Sequence, residues 1–128
     1  MTTILDTSAL VIVGLGGSPA WQARLTFAMA RHAIVDLAQV FRTAPTRRHA
    51  SKDRLSHTDF DRMLSIIRPD QGWTEDLTDA EHRLTDLREM YEPYVAALSE
   101  YLVQPLPPWI LPEGAIDNWK TSAWGRIQ

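Results

Sequence analysis

Asp6 is the first residue of this sequence whose type and position could support catalysis. It closes a short apolar run in TTILDTSALVIVG. An aspartate at the end of a strand can bind a divalent cation that activates water, but such a cation needs several carboxylates from separate elements. The first glutamate of the chain is Glu75, and the segment 36–46, where a second metal-binding glutamate should lie, reads DLAQVFRTAPT.

The opening stretch resembles the first strand of PIN-fold ribonucleases, small enzymes in which this aspartate is a metal ligand. That resemblance implies a parallel sheet, and after Leu15 the sequence has no run that is typical of a strand. The competing interpretation is an apolar helix over residues 3–13, with Ile4, Ser8, Val11 and Leu15 on one face. We therefore predict a helix, and keep a PIN-type metal-dependent ribonuclease, with Asp6 as a metal ligand, as the alternative function.

The histidines are the other candidate residues for chemistry. His32 and Asp36 are four residues apart, a spacing that can orient an imidazole as a base or a metal ligand. No nucleophile or third ligand is placed beside them, so we interpret the pair as a surface or inter-helix hydrogen bond. His49, His57 and His82 are isolated, and GLGG lacks the following Lys-Ser/Thr of a phosphate loop. We predict no catalytic residue, cofactor or metal ion, and therefore no enzyme.

Basic residues are concentrated between residues 42 and 54, although the whole chain has a net charge of −3. This segment could contact an anionic membrane surface, because each lysine or arginine near such a surface contributes about 1 kcal/mol. A nucleic acid is not expected as the partner. The candidate contact residues are Arg47, Arg48, Lys52 and Arg54.

Composition predicts one folded domain over residues 1–128. Hydrophobic residues make up 45% of the 128 residues and charged residues 23%, which is ordinary for a folded protein. The absence of cysteine excludes disulfides, thiolate metal sites and thiol nucleophiles. No apolar run reaches the roughly 18 residues of a membrane span, so a cytoplasmic location is expected.

The apolar periodicity predicts helices. Ser18 and Pro19 open one helix, which should end before Pro45. Ser56 caps a second helix, with Asp59 three residues later. The spacing of three and four residues indicates the core faces of these two helices, which are Ala23, Phe27, Ala30, Ile34, Leu37 and Phe41 in the first, and Phe60, Met63, Leu64 and Ile67 in the second.

The longest predicted helix begins with a capping box formed by Thr78 and Glu81, and it should be kinked at Pro93. Its apolar stripe predicts self-association into a homo-oligomer. The members of the stripe are Leu77, Ala80, Leu84, Leu87, Tyr91, Tyr94, Leu98 and Tyr101. Residues 104–128 are rich in proline and tryptophan, and we predict an extended tail that packs on the helices through Trp109, Trp119 and Trp124. The predicted fold is therefore all-α, a helical bundle of about four helices with that tail.

Four segments together resemble the cytoplasmic C-terminal region of bacterial two-transmembrane, pore-loop potassium channel family proteins. They are TTILDTSALVIVG, QARLTFAMARHAIVDLAQVF, LREMYEPYVAALSEYLVQPLPPWI and DNWKTSAW. The resemblance implies a non-enzymatic accessory domain that acts in assembly or gating, with the transmembrane channel portion as its partner at the cytoplasmic face of the membrane. It also implies that residues 1–128 are a fragment of a larger cytoplasmic domain. The selectivity-filter sequence is absent from this chain, and the resemblance assigns no ligand-binding residue.

Overall fold

The computed structural model describes residues 1–15, 17–45, 53–67 and 77–110. Within these ranges every regular element is a helix, which confirms the predicted all-α fold. The five helices are α1 (Thr2–Gly14), α2 (Gly17–Val40), α3 (His57–Ile67), α4 (Leu77–Glu89) and α5 (Glu92–Leu102). They surround one core, to which α1, α2, α3, α4 and α5 all contribute buried apolar side chains.

Helix α1 confirms the predicted helix over residues 3–13, but its buried side extends beyond the predicted face, of which Ser8 is buried and Val11 packs against the core. Leu5, Ala9 and Val13 are fully buried, whereas Ile4 is about half exposed. The difference arises because apolar side chains occur on nearly every side of this helix, so periodicity alone does not select one face. Contacts with α2 and α4 decide which side is buried.

Helix α2 follows a reversal of the chain at Gly17, whose φ of +69° is easily adopted by glycine. The helix begins at Gly17, one residue before the predicted start at Ser18. Its predicted core face is confirmed, because Ala23, Phe27 and Ile34 are buried with their neighbours at helical spacing. Leu37 and Phe41 pack more shallowly against the same core.

Helix α3 begins as the sequence predicted. The backbone N–H of Asp59 donates a hydrogen bond to the Ser56 hydroxyl at 3.1 Å, which is an N-terminal cap. The buried residues Phe60, Met63 and Leu64 confirm the predicted apolar side.

The predicted kinked helix is instead two helices. Helix α4 ends at Glu89, the chain turns at Met90 and Tyr91, and Pro93 lies in the first turn of α5. Proline is tolerated there because the N–H that it lacks has no partner within the helix. The described bundle therefore has one helix more than the predicted four.

The apolar stripe of α4 and α5 is used mainly inside this chain. Ala80, Leu84, Tyr91 and Leu98 are buried, and Leu87 and Tyr94 pack against the same core. The side chain of Leu77 lies outside the described residues. Because most of this surface is buried within the chain, it does not support the predicted self-association.

The chain continues past α5 as an extended segment that packs back on the helices. Leu106, Trp109 and Ile110 lie against the core. Of the tryptophans predicted to pack the tail on the helices, Trp109 makes this contact, and Trp119 and Trp124 lie outside the described residues. Among the helices of the described ranges, none combines the length and apolar character that crossing a bilayer requires.

Candidate functional site

Asp6 lies on the buried face of α1 and is paired with Arg54. The Arg54 Nη2 group donates to Asp6 Oδ2 at 2.5 Å, and Nη1 donates to Oδ1 at 3.2 Å. The hydroxyl of Tyr91 donates to Asp6 Oδ1 at 2.6 Å. Only 6% of Asp6 is exposed, so these groups replace the water that the carboxylate loses on folding.

Arg54 connects this carboxylate to two other parts of the fold. Its Nη1 group also donates to Glu92 Oε1 at 3.0 Å, and its Nη2 group donates to the carbonyl oxygen of Pro107 at 2.9 Å. Burial lowers the pKa of Arg54, but the hydrogen bond to Asp6 and the charges of Asp6 and Glu92 outweigh it and raise the pKa above its ordinary value. The guanidinium therefore remains charged and joins α1, α5 and the segment after α5.

A second guanidinium, that of Arg88 on α4, extends the same network. Its Nε group donates to Glu92 Oε1 at 3.0 Å, and its Nη2 group donates to Asp53 Oδ1 at 2.5 Å. Asp53 Oδ1 also accepts a hydrogen bond from the backbone N–H of Leu55 at 3.1 Å. Burial lowers the pKa of Arg88, whereas the hydrogen bonds to Glu92 and Asp53 raise it more, so its pKa lies above the ordinary value.

Trp109 lies beside both guanidiniums. The Cζ atoms of Arg54 and Arg88 are each 5.8 Å from the centre of the indole ring, a distance that allows a cation–π attraction. The Nε1 group of Trp109 and the Nε group of Arg54 are both buried and have no hydrogen-bond partner in the described part of the chain.

We call the group of Asp6, Asp53, Arg54, Arg88, Tyr91, Glu92 and Trp109 the charged network. Its members come from α1, the segment before α3, α4, the turn between α4 and α5, α5 itself and the segment after α5. Removing one partner from a buried ion pair leaves an uncompensated charge, at a cost of about 3–5 kcal/mol. The charged network therefore joins parts of the chain that are distant in sequence.

This geometry does not fit the alternative interpretation, in which Asp6 ends a strand and binds a metal ion. Asp6 lies within a helix, and both of its carboxylate oxygens accept hydrogen bonds from Arg54. In the described ranges no three acidic or histidine side chains form a group that could hold a metal ion.

A small cleft opens beside the charged network. It has a volume of about 240 Å³ and lies between α1, α3 and the segment after α5. Its walls are mostly apolar, with polar groups from Asp6 and two threonines. The lining residues are Thr3, Asp6, Thr7, Leu10, Met63, Ile66, Ile67, Pro108, Trp109 and Ile110.

Of the predicted contact residues for an anionic membrane, the structure describes only Arg54. Arg54 is largely buried in the charged network, so it does not belong to an exposed basic surface. Arg47, Arg48 and Lys52 lie outside the described residues. The sequence did not reveal the role of Arg54, because its partners Asp6 and Glu92 are 48 and 38 residues away.

The histidine pair lies on the surface, as interpreted, but its atoms are farther apart than in a hydrogen bond, and one histidine contact was missed. His32 Nε2 and Asp36 Oδ2 are 3.6 Å apart on the exposed side of α2, as a surface pair. His57, predicted to be isolated, lies 2.8 Å from Glu81 of α4 and 3.4 Å from Asp61. The hydrogen bond to Glu81 and the charge of Asp61 raise the pKa of His57, and the contact with Glu81 joins α3 to α4.

Comparison of the sequence and structure with known protein families, curated proteins and solved structures found no match.

Proposed function

We propose that this chain is a non-enzymatic cytoplasmic accessory domain of a potassium-channel-like membrane protein, and that it acts in assembly through self-association. The sequence resemblance supports the channel-like context and the transmembrane partner. The observation that carries self-association is an exposed apolar ridge on α2, formed by Trp21, Leu25 and Met29. We call these three residues the α2 ridge.

The α2 ridge runs along one side of a helix whose other side is in the core. Its members are four residues apart, so they lie one above the other on the helix surface. Each of them is more than half exposed, whereas Ala23, Phe27 and Ala30 of the same helix are buried. The α2 ridge is therefore not part of the core that the described residues form.

The surroundings of the α2 ridge suit a partner helix. Trp21 also lines a groove of about 500 Å³, whose walls combine apolar residues with polar ones. The other lining residues are Ile12, Leu15, Gly17, Ser18, Ala20, Arg24 and Arg83. Tryptophan is enriched among the residues that dominate binding energy at interfaces. A second copy of the same ridge, related by a two-fold axis, would cover both apolar surfaces at once, as in most homodimers.

The charged network supports this function by positioning the helices. It connects α1, α4 and α5 through hydrogen bonds and ion pairs, so the surface that α2 packs against is held together on its inner side. A rigid scaffold lowers the conformational entropy that association must overcome. Under this proposal, the role of the buried charged residues is to hold the helices in position.

Light scattering after size-exclusion chromatography tests the proposal. We expect a concentration-dependent increase in mass toward a dimer or larger oligomer, and a monomer for the triple variant Trp21→Gln, Leu25→Gln and Met29→Gln. The matched control is Val40→Gln, which removes an equally exposed apolar side chain from the far end of the same helix and should leave the mass unchanged. A wild-type chain that stays monomeric at all concentrations contradicts self-association, and so does a triple variant that associates as the wild type does.

A further inference from the structure

The groove beside Trp21 continues into a second depression. This depression has a volume of about 380 Å³ and lies between α1, α2 and α4. It shares Ile12, Arg24 and Arg83 with the first groove, so the two form one continuous groove with α2 on one side and α4 on the other. We call it the α2–α4 groove. The remaining lining residues of the second part are Phe27, Asp86, Leu87 and Met90.

The α2 side of this groove is basic. Arg24 is exposed, and Arg31 lies two turns further along the same face of the helix. The Nε group of Arg31 donates to the carbonyl oxygen of Met90 at 2.9 Å, which places this arginine at the edge of the groove. The acidic residue of α2, Asp36, follows these arginines and lies 3.6 Å from His32.

The α4 side of the groove is mainly acidic. Asp79, Asp86 and Glu89 are all exposed on one side of this helix. Asp86 lies 3.9 Å from the exposed His82, and Arg83, the basic residue among them, already has an interaction partner within the chain. Helices α2 and α4 therefore present opposite charges on the two sides of one groove.

Two arrangements of a two-fold pair bring two copies of the α2–α4 groove face to face. An axis that crosses the groove places α2 on α2 and α4 on α4, so like charges meet at both contacts. An axis that runs along the groove places α2 of each copy on α4 of the other, so opposite charges meet at two equivalent contacts. We infer that the α2 ridge and the basic side of α2 dock on the acidic side of α4 in a second copy of this chain. The inference rests on the proposed self-association and names the surface of the second copy that meets α2.

An axis along the groove also keeps each side chain at its own level in the second copy. Arg24 and Asp86 line the same part of the groove, so Arg24 of one copy lies opposite Asp86 of the other. Arg31 contacts Met90, so it lies opposite Glu89 and Met90 of the second copy. Met90 is 43% exposed and gives the ridge an apolar contact on α4 that can adapt its shape.

The salt dependence of association distinguishes the two arrangements without any substitution. Sedimentation velocity of the full chain measures the dissociation constant of the dimer. We expect this constant to rise between about 0.1 M salt, where the screening length is about 10 Å, and about 1 M, where it is about 3 Å. Packing of α2 on α2 predicts the opposite, because salt would then screen a repulsion.

Charge reversal tests the pairing of α2 with α4 directly. Arg24→Glu and Asp86→Lys should each raise the dissociation constant at least about tenfold, because each puts like charges at both equivalent contacts. An equimolar mixture of the two variants should recover dimers close to the wild-type affinity, since each contact of the mixed dimer again joins opposite charges. Native mass spectrometry identifies the mixed dimer by its mass.

The matched control is Glu100→Lys, which changes the net charge as Asp86→Lys does. Glu100 precedes Tyr101, whose ring contacts Phe41 just beyond the end of α2. Phe41 lies about 25 Å from Arg24 along the helix direction, well beyond the screening length at 0.1 M salt. Glu100→Lys should therefore associate as the wild type does.

Each possible outcome bears on either the proposed function or this inference. A wild-type chain that stays monomeric overturns both. Wild-type association that the triple variant of the α2 ridge abolishes, but that neither Arg24→Glu nor Asp86→Lys weakens, overturns the inference and leaves the proposed self-association in place. Association that strengthens with salt, or two weakened variants that do not recover dimers when mixed, also overturns the inference alone.

Discussion

Replacing Asp6 by alanine tests whether the charged network is as desolvated as its geometry indicates. The substitution removes two hydrogen-bond acceptors from Arg54 and one from Tyr91. Losing one partner of a buried ion pair costs about 3–5 kcal/mol. Arg54 keeps its bonds to Glu92 and to the carbonyl oxygen of Pro107, so we expect a loss of about 3 kcal/mol in the free energy of unfolding, at the lower end of that range.

Urea unfolding followed by far-UV circular dichroism measures this loss. Tyr91→Phe should cost about 1 kcal/mol, because it removes one buried hydrogen bond and keeps the edge-on ring contact with Phe27. Asp36→Ala is the control, since it breaks the exposed pair with His32 and should cost less than about 0.5 kcal/mol.

The double variant shows whether Asp6 and Tyr91 act together. In a chain that already carries Asp6→Ala, the further change Tyr91→Phe should cost almost nothing, because the hydroxyl no longer has its acceptor. If Asp6→Ala costs no more than Asp36→Ala, the carboxylate is not buried in a charged network and the reasoning fails. Additive costs for Asp6→Ala and Tyr91→Phe would refute the hydrogen bond between them.

Two further predictions concern His57 and Val103. The bond to Glu81 and the charge of Asp61 raise the pKa of His57 above 6.5, so its contribution to stability is full below that pH and is lost as the pH rises through the folded pKa. His57→Gln should therefore have a lower free energy of unfolding than the wild type at about pH 5.5, and this difference should shrink by about pH 8.5. An NMR titration midpoint for His57 at or below 6.5 contradicts this prediction. Val103→Gly should raise the free energy of unfolding by about 1 kcal/mol, because it relieves the left-handed backbone, and a decrease in urea unfolding contradicts the strain.

The helices of this protein were largely predictable because their signals are local. The cap at Ser56 and the buried face of α2 depend on residues only three or four positions apart. The break between α4 and α5 was not predictable in the same way. Pro93 is compatible both with a kinked helix and with the first turn of a new one, and the continuous apolar stripe favoured the kinked helix.

The roles of individual polar and apolar residues required the folded structure. Arg54 was assigned to a basic surface by its neighbours in sequence, yet it pairs with Asp6 from 48 residues away. The surface predicted to drive self-association was the stripe of α4 and α5, and that stripe is mainly buried. The three residues of the α2 ridge, which the sequence analysis did not single out, are instead more than half exposed.

The sequence by itself determined that this chain is helical, where α2 and α3 begin and which of their faces enter the core. Those features depend on backbone hydrogen bonds and side-chain contacts within a few residues. Only the tertiary structure decided which side of α1 is buried, which carboxylates meet Arg54 and Arg88, and which apolar side chains remain exposed. Burial and ion pairing depend on elements far apart in the chain, such as Asp6 and Tyr91, which are 85 residues apart and share a hydrogen bond.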